Sequence, residues 1–168
     1  MSRVVMFRRL VLVTMTGLTG LTGLAGVASA QPDRVVIGTA VDETQTADAK
    51  ERAVNAATVK RVLAKLIARE SLPRGDVRHL DIAVVSLTID PFGEHITVSA
   101  EVRIAVSGGR GSLLQVIAGG AKVEIPARSY RAHRLPGLRE DALTGAVEAV
   151  FGRVRRTLQT RDVTVAAR

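Results

Sequence analysis

The chain has 168 residues, no cysteine, 24 Lys plus Arg against 16 Asp plus Glu, and a net charge of +8. Without cysteine there is neither a disulfide staple nor the acylated Cys of a lipid-anchored lipoprotein, so a packed core has to supply stability unaided. The surplus charge is uneven: residues 31–125 hold twelve charges of each sign, whereas residues 126–168 hold nine positive and four negative.

Residues 1–30 have the three zones of a secretory signal peptide. Arg3, Arg8 and Arg9 precede an uncharged stretch from Leu10 to Val27, and Ala28-Ser29-Ala30 is a small-residue cleavage motif. The uncharged run is long enough to stay as a membrane anchor, but Gly17, Gly20, Gly23 and Gly26 dilute it. The expectation is cleavage near Ala30, export to a bacterial periplasm or exterior, and a single mature domain over 31–168.

Arg34 to Gly38 reads as a first strand, and Asp42 to Thr46 as a polar connection rich in helix-capping types. A helix follows over Ala47 to Glu70, with Val59, Val62, Leu63 and Leu66 on one face, and Pro73 and Gly75 stop it. Residues 77–107 read as a β-hairpin turning through Asp90 to Glu94. In its second half Ile96, Val98, Ala100, Val102, Ile104 and Val106 alternate with polar neighbours.

Setting Ile89 opposite His95 gives a register in which Leu80 meets Ile104 and Asp81 meets Arg103. That register leaves Val85, Leu87 and Ile89 on the polar face. Either a bulge near Val84-Val85 swaps the faces, or that strand end is an apolar patch needing cover from another segment or a partner. Ser107 to Gly111 reads as a turn. Leu113 to Ala118 is compatible with a strand or one helical turn capped by Gly119, and Ala121 to Ile125 with a further strand. A basic connection over Pro126 to Pro136 leads to a second helix, Gly137 to Leu158. The order β-α-β-β-(β)-α predicts an α+β two-layer sandwich, a mainly antiparallel sheet with both helices on one face.

Chemistry is sparse. His79 and His95 fall on the order of 30 Å apart along the hairpin, and His133 has no carboxylate close in sequence, so no metal site assembles. There is no G-x-S-x-G elbow, and Gly108-Gly109-Arg110-Gly111 lacks the spacing of a phosphate loop. No catalytic residue, cofactor or metal is expected. The feature to carry forward is Arg128, Tyr130, Arg131, His133 and Arg134, whose guanidiniums match phosphate and carboxylate oxygens in pairs. With Phe92, Tyr130 and Phe151 as the sole aromatics after the leader, no base-stacking platform exists, and nucleic acid is not an expected partner.

The sequence thus reads as a non-catalytic envelope protein acting as a binding module or assembly accessory. Its contacts would be the 128–134 surface and the strand end at 85–89, and its partner an envelope protein, lipid head groups or an acidic glycan. The rivals are a small exported hydrolase or transferase with dispersed catalytic residues, and a peripheral module docking on anionic membrane or glycan.

Overall fold

In the computed structural model, β1 (Val35–Asp42), α1 (Ala49–Arg69), β2 (Arg78–Phe92), β3 (His95–Gly108), β4 (Leu113–Pro126) and α2 (Leu135–Gln159) follow one another. The structure describes residues 35–45, 47–70 and 77–159; the leader with its cleavage motif, Arg34, and the Pro73 and Gly75 stop signals lie outside them. The four strands form one sheet in the order β1-β2-β3-β4, with β1 parallel to β2 and the other pairs antiparallel. This is the expected α+β sandwich. α1 lies over β1 and β2, α2 over β3 and β4, and the two helices touch.

Each helix forms where its sequence allows a cap and a stripe. Asp48 caps α1 by accepting from the Glu51 N–H at 2.7 Å, and Asn55, Thr58, Val59, Val62 and Leu63 are the buried face. In α2 the buried stripe runs from Leu138 through Leu143, Val147, Val150 and Val154 to Leu158. Both stripes meet Leu80, Ile82, Val84, Val98, Val102, Ile104 and Val106 from the sheet. Burying each such aliphatic side chain is worth about 1.5–3 kcal/mol, and together they make the core that a chain without disulfides requires. Among the described residues, no helix is long and apolar enough to cross a membrane.

The expected hairpin register is corrected. Phe92, rather than Ile89, faces His95, because Gly93 adopts φ +57° and permits a tight turn at Gly93-Glu94. Leu80 therefore meets Val106 and Ile82 meets Ile104. The register then shifts between Val84 and Ser86, so that Leu87 meets Ala100 and Ile89 meets Val98. This is a bulge at Val85: it turns the odd-numbered residues of β2 onto the buried face and accounts for the apolar Leu87 and Ile89.

The Asp81–Arg103 pair is also replaced. Asp81 faces Ala105, and its Oδ1 accepts the Thr39 backbone N–H and hydroxyl, both at 2.7 Å, where β1 breaks register between Ile37 and Ala40. Those two donors, the backbone one first, hold the Asp81 carboxyl below the usual carboxylate range. Arg103 reaches over β2 instead, its Nη2 lying 2.9 Å from both carboxylate oxygens of Glu43.

Two boundaries differ from expectation. β1 continues to Asp42 because Thr39 and Asp81 carry it across its irregularity. Leu113 to Pro126 is one continuous strand, with neither a helical turn nor a break at Gly119-Gly120. There the glycines serve close approach. A Cβ on Gly120 would lie 2.5 Å from the Ala100 carbonyl oxygen, and one on Gly119 would lie 3.0 Å from Val150 Cγ2 of α2.

Candidate functional site

Pro126 ends β4, and the basic connection follows as two single 3-10 turns, Ala127–Ser129 and Ala132–Arg134. They are closed by Tyr130 N–H to Ala127 O at 3.1 Å and Arg134 N–H to Arg131 O at 2.8 Å. The Ala127 N–H donates to Glu94 O at 2.7 Å and ties the segment to the β2–β3 turn. Tyr130 is half-buried and packs on the core. Arg131 braces its own backbone, with Nη1 donating to Tyr130 O at 2.7 Å and Arg128 O at 3.1 Å. Arg128, His133 and Arg134 are exposed, and among the described residues their side chains make no ion pair. At the same end of the sheet Phe92, at the tip of the β2–β3 hairpin, is 84% exposed.

Strand direction gathers further segments here. β1, β2 and β4 finish at this end, β3 starts at it, and both helices begin at it. The site residues at 87–89 and 128–134 therefore share one end of the sheet although about forty residues separate them in sequence. Val85, the extra residue of the bulge, faces no partner on β3. Leu87 and Ile89 instead form the apolar wall of a cleft of about 190 Å³, lined also by Thr44, Ala47, Glu51, Asn55 and Arg139.

The polar side of that cleft is tightly organised. The Asp42 carboxylate accepts from Thr44 N–H and from Asn55 Nδ2, each at 2.8 Å, and so fixes the β1–α1 connection. Glu51 at the start of α1 accepts from Arg139 Nη1 at 2.7 Å and joins the two helix N-termini. Thr44 Oγ1 and Arg139 Nε are buried without a hydrogen-bond partner. Both atoms are closed off from solvent, so they belong to the packed wall behind the cleft rather than to its open surface.

His79 faces Ser107 and His95 faces Phe92, at opposite ends of the hairpin. His95 Nδ1 is 3.7 Å from Glu124, and among the described residues no three His, Cys, Asp or Glu side chains converge as a metal site. Sequence reasoning missed Thr44, Asn55, Glu51 and Arg139. The available signal was Asn55, which sits four and seven residues before Val59 and Val62 in the buried stripe of α1, where a polar side chain needs a buried partner.

No protein-family model matches the chain, and no curated protein matches it. Among solved structures it is similar to a candidate lipoprotein from Caulobacter crescentus, at 10% identity over 76% of this chain and 89% of that one, with TM-score 0.49. It is also similar to rare lipoprotein B from Shewanella oneidensis, at 10% identity over 73% and 94% of the two chains, with TM-score 0.48. A third similarity is to the PelC dodecamer from Paraburkholderia phytofirmans, at 16% identity over 77% and 88%, with TM-score 0.46. The present chain holds no cysteine that a lipid could modify.

Proposed function

We propose that this protein is an exported, non-catalytic module of the bacterial envelope, a single domain after cleavage near Ala30, that works by binding an envelope protein as an accessory part of an assembly. The leader motif supports the compartment. The observation that carries the binding role is that the exposed Phe92, Arg128 and Arg134 lie at the same end of the sheet as the cleft walled by Leu87 and Ile89. An exposed aromatic and exposed guanidiniums at one end of a domain have the composition of an interface hot spot, since large rigid rings and arginine dominate binding energy where water is excluded. Acidic neighbours, among them Asp90, Glu94 and Glu124, interleave with the arginines, so this end offers mixed charge and suits a protein surface.

The test is affinity capture from envelope extract with the wild-type chain, a Phe92→Asp variant and an Arg128→Gln/Arg134→Gln variant. The reading expects one protein recovered by the wild type and lost from both variants, with thermal unfolding unchanged. An identical set of captured proteins for all three would sink it.

A further inference from the structure

Among the described residues, the strongest charge asymmetry lies at the other end of the sheet, and it goes beyond the reading above. α1 and α2 both finish at that end, and β4 starts there after the Gly109–Ser112 turn. The exposed cations Lys65, Arg69, Arg110, Arg153, Arg155 and Arg156 meet there from three chain-distant segments. Along Ala64–Glu70, Gly108–Gln115 and Ala149–Gln159 the one acid is Glu70, and it is engaged by Arg155 Nε at 2.9 Å. Basic residues in the last turn of a helix complement its dipole, which accounts for Arg69 and Arg156. It does not account for Arg110, which sits in a β-turn, nor for what lies next to it.

Immediately after that turn, Leu113 is 63% exposed, Leu114 is 40% exposed and Val116 is 49% exposed. The turn is held by Gly108 N–H to Ser112 O and Gly111 N–H to Gly108 O, each at 2.8 Å, and the two leucines open β4 directly after it. Arg153 and Arg156 line an open groove with Val116 along β4, the edge strand. β1 also begins at this end, at Val35.

We infer that the 108–116 turn, with the C-terminal ends of α1 and α2, is a docking face for an anionic lipid bilayer. Leu113 and Leu114 would enter the head-group boundary, and the ring of Lys and Arg would meet lipid phosphates. Apolar tips flanked by cations bind interfaces through both terms at once, and each Lys or Arg near an anionic surface strengthens partitioning about fivefold. The 92–95 end carries Asp48, Glu51, Asp90, Glu94, Glu140 and Asp141 and has no comparable excess of cations. The domain would therefore sit with its protein-binding end directed away from the bilayer.

The chain has no tryptophan, so a single introduced one reports its own surroundings. The full-length gene is expressed in a Gram-negative host, and the protein, as the cell processes it, is mixed with vesicles. One set is equal parts phosphatidylglycerol and phosphatidylcholine, the other phosphatidylcholine alone. The expected result is salt-sensitive sedimentation with the anionic vesicles only, weakened roughly 25-fold in Arg110→Gln/Arg153→Gln and changed by less than about twofold in Arg128→Gln/Arg134→Gln. Emission of a Leu113→Trp variant should move to the blue on anionic vesicles, while that of Phe92→Trp should not.

Several results overturn the inference. One is failure to sediment; another is equal binding to both vesicle types, which a retained leader would produce. A blue shift at Phe92→Trp instead of Leu113→Trp would reverse the orientation. Competition by soluble polyglutamate, with no shift at Leu113→Trp, would assign the face to an acidic protein. None of these bears on the captured partner of the opposite end, so the two readings fail separately.

Discussion

Adding one methyl group to Gly120 tests whether β4 runs unbroken beside β3. The Cβ of a Gly120→Ala variant would sit 2.5 Å from the Ala100 carbonyl oxygen, where ordinary contact begins at 3.4 Å, so the strands would have to part by about 0.9 Å at this step. The obstacle is the backbone of a central strand, which cannot rotate away as a side chain can. Overpacking of this kind costs up to about 3 kcal/mol. Loss of glycine freedom in the unfolded chain returns about 0.4–1 kcal/mol. The net expectation is destabilisation by roughly 2 kcal/mol, a fall in Tm of about 7 °C for a domain of this size. Gly152→Ala is the matched control. It lies exposed inside α2, with nothing within 4 Å of a new Cβ, and should gain about 0.5–1 kcal/mol. Far-UV circular dichroism during thermal and urea unfolding reads both. A Gly120→Ala variant as stable as wild type would show that β4 does not pass Ala100 as described, and equal losses in both variants would remove the geometric argument.

Asp81→Asn should abolish one component of acid sensitivity. Because the folded carboxyl is held low by Thr39, its contribution is complete above the unfolded value of about 3.9 and is lost as pH falls through the lower folded value. The stability gap between wild type and Asp81→Asn should therefore be widest near neutral pH and close in acid, as followed by urea midpoints. Leu143→Ala, at a fully buried core position, should cost about 3 kcal/mol in urea unfolding, within the range for Leu truncation. Arg103→Gln should cost less than about 1 kcal/mol, since the Arg103–Glu43 pair is nearly half exposed and screened, and its small effect should shrink further in salt.

Much of the fold was legible because its signals are local. The unbroken alternation from Ile96 to Val106 specifies a half-buried strand, and the stripes of α1 and α2 specify two helices, whatever they pack against. Even the conflict at Val85, Leu87 and Ile89 was visible, since two readings of one strand cannot both be buried, and a bulge was one of its two resolutions. What the sequence by itself determined is therefore the two helices, the β2–β3 hairpin, their apolar faces and the export signature, but not the single strand β4.

Register needed more. Pairing was set by the length of the turn, and Gly93 at positive φ permits a shorter one than the span from Asp90 to Glu94 implies. Gly119-Gly120 reads locally as a break, and only the approach of Val150 and of the Ala100 carbonyl shows why no side chain fits there. The cleft joins Thr44, Leu87 and Arg139 from three elements, so no window of sequence contains it. Charge is the plainest case. Counted along the chain, the arginines of 128–134 and of 153–156 form one basic C-terminal third. The up-and-back path of α2 sends them to opposite ends, the first among acids of the hairpin tip and helix starts, the second beside Lys65, Arg69 and Arg110. Electrostatics depends on distance through space, and only the tertiary structure decides which charges are neighbours.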